Sequence, residues 1–349
     1  MELLKISAGR LNSIPAVYQA TVHKLSEFND AWRKGNLPSI EWDLTEIRTG
    51  QINVAAASFF LAIAHRIRQY TGRSQSVRVE WHPKTFSFLE DINFFRVADE
   101  YDLFDWPYEI GGYEDGLINP NTKILAYEKL SERPNLENRS DLSNWKKVHR
   151  EYYRKNIIDK CEALFTSSDE FGRNSNYPLV ISRTCAEIAV NSLLWGESAA
   201  FIGLQRTRNM IFISVCDIGL GFKSSFIKKN EHVSFLKETE LDPDIVSLAL
   251  GAVVNQNDFG IKRAISTIIE LGGNISLSSG KGEIHWGREL WTRYLNGTEN
   301  HGVYQGINEL PKPVFKTDRD LKYNGYCRKW KDSIRGTRIS FSIPLGGHK

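Results

Sequence analysis

The sequence predicts an α/β protein of two domains, and three observations carry that prediction. A chain of 349 residues exceeds what one core usually serves. Its opening third alternates strand-like with helix-like segments. Its second half sets a long apolar helix before a strongly apolar strand and closes on another alternating strand. Composition is that of an ordinary globular protein, with 41% hydrophobic, 25% charged and 11% aromatic residues. A net charge of +3 over this length neither calls for a nucleic acid nor excludes one. No apolar run reaches the length of a membrane span, and MELLKISAGRLNSIP lacks the apolar core of a signal peptide. Cys161, Cys185, Cys216 and Cys327 show neither CxxC nor Cys/His ligand spacing, so reduced thiols, no structural zinc and a cytoplasmic setting are expected.

Residues 39–44 (SIEWDL) read as a short strand, followed by the polar turn TEIRTGQ. From Ile52 to Tyr70 apolar residues recur near a 3.6 period, with Arg66, Arg68 and Gln69 left for solvent. TGRS breaks that helix, SVRVEWH alternates as a strand, and Phe86–Ala98 is a second amphipathic segment. Residues 1–105 therefore make an α/β domain, and 106–150, rich in Gly, Pro, Asn and Asp, reads as a linker with a short ordered piece at Thr122–Leu130. The second domain, 151–349, takes in a basic, tyrosine-containing helix (Trp145–Phe165) that starts just before it, a helix over Leu179–Trp195 behind Pro178, and the strand MIFISVCD. A weak helix at Pro243–Val254, a helix at Gly260–Leu271, the strand NISLS, an irregular insertion at 280–335 and the strand TRISFSIPL complete it.

Four motifs carry chemistry. Glu187-Ile-Ala-Val-Asn191 puts a carboxylate and an amide one turn apart on a helix face. Asn is a poor helix-interior residue, its amide oxygen suits Mg²⁺, and the carboxylate can orient or deprotonate a water. Asp217-Ile-Gly219-Leu-Gly221 ends an apolar strand in a corner built for close backbone approach, where the acid can accept from an exocyclic amine such as that of adenine. Asn257-Asp-Phe-Gly260 opens a helix whose free amides favour phosphate oxygens. Gly336-Thr337-Arg338 leads the final strand, and the Thr337 hydroxyl can reach a base or a bridging water.

In this order the motifs resemble the Bergerat-fold (GHKL) superfamily: histidine kinases, anti-sigma-factor serine kinases, Hsp90 chaperones, type II topoisomerases and MutL mismatch-repair proteins. The resemblance covers most of residues 179–279 plus 336–345. It implies a two-layer α/β sandwich of the histidine kinase/Hsp90-like ATPase type, binding ATP and Mg²⁺ under a mobile lid at about Phe222–Phe259. By analogy Glu187 is the general base, Asn191 the Mg²⁺ ligand and Asp217 the adenine reader. Gly219 and Gly221 shape the pocket wall, Gly260 ends the lid, and Thr337 holds adenine and its water. The chain departs from the family at Leu194 and Trp195, where a histidine or another polar residue often stands, and at the lid end, where only Gly260 remains of a G-x-G-x-G pattern. The first domain resembles a degenerate STAS domain, whose turn before the helix often carries a phosphorylatable Ser or Thr. Thr45 and Thr49 stand in that turn and Ser58 in the helix, but no D-S-[SA]-G-like motif supports a phosphorylation site.

The resemblances imply a regulatory ATP-binding protein in which Mg-ATP, with slow hydrolysis, switches association with a protein partner or between two copies. The alternatives are a serine/threonine kinase of the anti-sigma type and a nucleic-acid-linked ATPase; nothing points to a membrane. His149, alone in a basic helix, is no histidine-kinase dimerisation motif. In the insertion, His285, Trp286, Arg288, Trp291, Arg293 and Tyr294 could stack on single-stranded nucleic acid, but interspersed acids favour a self-packed or protein-binding subdomain.

Overall fold

The structure is a computed structural model that describes residues 3–7, 11–26, 38–48, 52–80, 82–108, 121–165, 177–253, 260–312, 314–315 and 326–345. It contains two sheets. The first has the order β1 (Leu3–Ser7), β2 (Ser39–Asp43), β3 (Gln75–Arg78), β4 (Phe104–Asp105), every pair parallel. The second has the order β5 (Thr122–Tyr127), β6 (Ala200–Arg206), β7 (Met210–Cys216), β10 (Cys327–Pro344), β8 (Asn274–Trp286), with β9 (Val314–Phe315) beside β10. Contacts divide the chain into two compact units, Met1–Ala126 with Phe201–Gln205, and Tyr127–Ala200 with Arg206–Lys349.

Parallel strands need crossovers, and in the first unit α1 (Val54–Thr71) links β2 to β3. Its start is set by Asn53, whose side chain accepts the N–H groups of Ala55 and Ala56 at 2.9 and 3.3 Å. Gly72 ends it in the left-handed region at φ 65°. The expected solvent face holds, with Arg66, Arg68 and Gln69 more exposed than their apolar neighbours. The Trp42 ring meets Phe60 edge-on at 4.9 Å, and Phe60 stacks on Phe104 at 5.8 Å. Trp42 Nε1 donates to Gln75 Oε1 at 2.8 Å, while Gln75 Nε2 donates to the Ala64 and Leu103 carbonyls, so this buried amide ties β2, α1 and the approach to β4 together.

The second amphipathic segment of this unit is two helices, not one. α2 (Pro83–Asp91) and α3 (Phe94–Glu100) are separated by Asn93 at φ 65°, a conformation that ends a helix and that Asn tolerates. Thr45 is a turn cap, its N–H and hydroxyl both bonding Asp43 Oδ1, at 3.1 and 2.7 Å. Ser58 is buried with its hydroxyl on the Ala55 carbonyl, and Thr49 lies outside the described residues.

In the second unit α4 (Arg139–Phe165) packs on α5 (Tyr177–Asn191), which continues as a π-helical turn over Ser192–Gly196. α6 (Gly221–Lys228), α7 (Val233–Glu238), α8 (Pro243–Val253) and α9 (Ile261–Glu270) follow β7. Segment 106–150, expected to be a linker, contains β5 and the first turns of α4. Segment 280–335, expected to be irregular, is largely ordered. β8 runs unbroken to Trp286, α10 (Arg288–His301) and α11 (Val303–Asn308) follow, and β10 starts at Cys327. Arg328 stands opposite Glu283 and Cys327 opposite Ile284, so polar residues that look like loop belong to a paired hairpin. Trp286, Trp291 and Tyr294 pack on one another with centroids 4.9–5.9 Å apart and at most 4% exposure, leaving no free ring faces for bases. Much of the expected lid is fixed too. From Ile245 onward α8 is buried throughout, Tyr294 donates to its Ala249 carbonyl at 2.6 Å, and the Lys281 N–H donates to Asp244 at 2.8 Å.

Trp42→Ala should lower the stability of the first unit by about 3–5 kcal/mol in denaturant titration, because it opens a void and strands the Gln75 amide oxygen.

Candidate functional site

The site is built at the corner where β7 ends. Asp217 follows the apolar strand directly and its carboxyl is 1% exposed. Its N–H donates to the Thr337 carbonyl at 2.9 Å and its carbonyl accepts the Thr337 N–H at 3.2 Å, extending the β7–β10 ladder by one pair. The Thr337 N–H also lies 3.2 Å from Asp217 Oδ1, which accepts the Gly219 N–H at 2.9 Å. One carboxylate oxygen is thus held by backbone amides. Burial raises the Asp217 pKa from 3.8 to about 6, against the lowering effect of hydrogen bonds from Gly219, Ser192 and Thr337 and of the Arg338 charge.

This corner has no room for side chains. A Cβ on Gly219 would stand 1.9 Å from the Gly196 carbonyl oxygen, and one on Gly336, at φ +87°, would stand 2.0 Å from the Asp217 carbonyl oxygen. The Gly196 carbonyl accepts the Leu220 N–H at 3.0 Å, so the π-helical turn after α5 is locked onto the β7 corner. Gly221 opens α6, whose Phe222 N–H donates to Ser279 Oγ at 3.1 Å.

A cavity of about 790 Å³ opens beside this corner, lined by Glu187, Asn191, Asp217, Gly221 and Thr337 among others. Five of the seven residues singled out from sequence therefore meet in one place. Gly219 supports its wall from behind, against Gly196. Gly260 caps α9 at φ 118°, and the next residue, Ile261, is in the cavity wall. Asn257, Asp258 and Phe259 of the same motif lie outside the described residues.

Glu187 differs in one respect from the role its motif implies. Arg150 of α4 forms an ion pair with it: Nη2 donates to Oε1 at 2.9 Å, and Nε lies 2.5 Å from Oε2 without making a hydrogen bond. This ion pair compensates the burial of the acid and engages one of the oxygens a general base would use. The Asn191 side chain lines the cavity, and among the described residues no hydrogen bond to it is formed. An amide oxygen left open in this way is a ligand that suits a hard divalent cation. No group of three or more His, Cys, Asp or Glu that could hold a metal by itself exists among the described residues.

Sequence reasoning missed the contribution of α4. Leu142, Trp145, His149, Tyr153, Ile157 and Cys161 form its buried stripe at three- and four-residue spacing. His149 belongs to that stripe: its Nε2 accepts the Leu130 N–H at 3.0 Å and its Nδ1 meets the Trp145 carbonyl at 2.8 Å. The flank of the stripe brings Arg139, Lys146, Lys147 and Arg150 to the cavity, and Lys229 joins them from the end of α6. Five cationic side chains thus face three acidic ones, Glu151, Glu187 and Asp217. The KKVHR run, with Lys146 and Arg150 four apart, was the available signal; a basic helix face is usually just solvated.

Two substitutions test this geometry. Gly219→Ala should force the Gly196 turn off the β7 corner and cost on the order of 3 kcal/mol by thermal or chemical unfolding. Asp217→Asn keeps an amide oxygen for both backbone donors and removes a buried charge. Because the folded pKa lies above 3.8, ionised Asp217 costs stability that returns as pH falls through about 6. Asp217→Asn should therefore melt higher than wild type near neutral pH, by up to about 3 kcal/mol, and lose most of that advantage near pH 4.

In comparisons with protein-family models, curated proteins and solved structures, nothing matches this chain, so the functional reading rests on the site itself.

Proposed function

We propose that the second unit binds ATP with Mg²⁺ in this cavity and that the bound nucleotide regulates association with a protein partner. The observation that carries the reading is the convergence of Asp217, Thr337, Glu187 and Asn191, from three separate stretches of chain, on one cavity of about 790 Å³. The Asp217 oxygen not held by Gly219 and Thr337 would accept the adenine amine, and the Thr337 hydroxyl would support it directly or through water. Asn191 would complete the shell of a nucleotide-borne Mg²⁺, which neutralises phosphate charge. The fold supports the Bergerat likeness in outline: helices α5, α6 and α8 belong with an antiparallel sheet that includes β7, β10 and β8. The parallel sheet of the first unit suits a STAS-like interaction domain, which makes a fused partner-switching module the natural biological reading.

Binding is better supported than turnover. The Arg150 guanidinium holds Glu187 in an ion pair, so the resting protein would hold ATP and hydrolyse it slowly. Regulation by occupancy follows more directly from this site than phosphoryl transfer to a serine, and no observation favours the kinase reading. The nucleic-acid reading loses its aromatic platform to the buried cluster around Trp286.

Calorimetry with Mg-ATP and steady-state phosphate release form one test on four proteins. Asp217→Asn should weaken ATP binding at least thirtyfold, about 2 kcal/mol, because its amide would point a donor at a donor. Glu187→Ala should bind ATP and lose residual turnover. Arg150→Met should bind ATP and turn it over several times faster than wild type. Wild-type ATP affinity in Asp217→Asn would show that the adenine assignment is wrong.

A further inference from the structure

We propose that Lys146 and Lys229, both set over the Trp195 indole, clamp the phosphate tail of the nucleotide, so that triphosphate recognition comes from α4 and the end of α6 instead of a glycine-rich lid. The inference rests on the nucleotide reading above and adds to it the part of the ligand that the four converging residues leave unexplained. Lys229 Nζ lies 3.4 Å and Lys146 Nζ 5.1 Å from the centre of the Trp195 ring. Both side chains are half-buried, and both line the cavity together with Trp195.

Two ammonium groups drawn onto one indole repel each other, and the nearby acids do not resolve that repulsion. Glu187 is taken by Arg150. Glu231 stands 3.8 Å from Lys229, at the outer limit of an ion pair, and is half exposed. Burial lowers the pKa of both lysines, and for Lys146 the charges of Arg150 and Lys229 lower it further, with Glu187 opposing. A bound anion would relieve all of these costs at once.

Both lysines are carried by helices that border the cavity. α6 leaves the Asp217 corner at Gly221 and runs eight residues to Lys228. A helix of that length carries the backbone about 12 Å, and from its end the Lys229 ammonium turns back over the Trp195 ring. Ser225 of the same helix donates to the Gly221 carbonyl at 2.7 Å and to the Trp195 carbonyl at 3.3 Å, and Lys228 pairs with Glu197, so α6 is fastened to the turn that bears Trp195. The lid end retains Gly260 alone, and α8 is held by Tyr294 and Lys281. Phosphate recognition from fixed helices compensates for that thin lid. Lysine ammonium groups suit the task, being compact point charges that follow a flexible chain of phosphates.

The test compares adenosine, ATP and inorganic tripolyphosphate by calorimetry on the full chain. Lys146→Gln and Lys229→Gln should each weaken ATP and tripolyphosphate by about tenfold and leave adenosine within about twofold. Lys146→Arg and Lys229→Arg, which keep the charge, should restore most of the ATP affinity, which a loss of folding would not. Equal loss of adenosine and ATP, or undiminished ATP binding in both glutamine variants, would overturn the clamp. Wild-type binding of tripolyphosphate, lost in the glutamine variants, with no gain from an attached adenosine would sink the adenine reading and keep the clamp. A wild-type protein that binds none of the three refutes both.

Discussion

Everything in the site depends on one close approach: the corner after β7 lies against the start of the last pairing stretch of β10 with no side chain between them. Asp217 and Thr337 exchange backbone hydrogen bonds there, and Gly219 and Gly336 stand where any Cβ would strike a carbonyl oxygen. That contact buries the Asp217 carboxylate, supplies the two amides that hold one of its oxygens, and fixes the direction of the other. It also sets Thr337 beside Asp217 although 120 residues of chain separate them. The energetic consequence is a carboxylate kept where ionisation is costly.

Around that corner the protein divides its charges between structure and ligand. Arg150 and Glu187 form an ion pair, which makes burial of the acid tolerable. Among the described residues, Lys146 and Lys229 lean on the Trp195 ring, with Glu187 and Glu231 as the acids nearby. Under the proposed reading, a site arranged in this way favours occupancy over turnover. Occupancy is what a switch needs, since a ligand shifts an equilibrium by its differential affinity for two states and not by being consumed.

The elements with strong local signals were legible in the sequence. The 3.6-period of α1, the apolar run of β7, the helix of Glu187 and Asn191, and the glycine-led α9 all stand within a few residues of their expected places. Others were hidden for identifiable reasons. β6 (AFIGLQR) follows a helix so closely that its short apolar run reads as a continuation. The helix break at Asn93 turns on a single left-handed residue inside an amphipathic pattern. The outer parts of the antiparallel β8–β10 pair, 280–286 and 327–336, are rich in Lys, Arg and Glu, so composition suggested loop where cross-strand pairing made strand.

By itself the sequence singled out Glu187, Asn191, Asp217, Gly219, Gly221 and Thr337, because their types and order express local needs: a helix face, a strand end, a glycine corner. Only the tertiary structure decided what those residues can do. Whether Glu187 is a base or half of an ion pair depends on Arg150, 37 positions earlier. Whether a basic helix face is solvated or serves a cavity depends on which way a buried stripe of Trp145, His149 and Tyr153 turns it. Electrostatic roles are set by what stands within a few ångströms, and in a folded chain those neighbours are rarely neighbours in sequence.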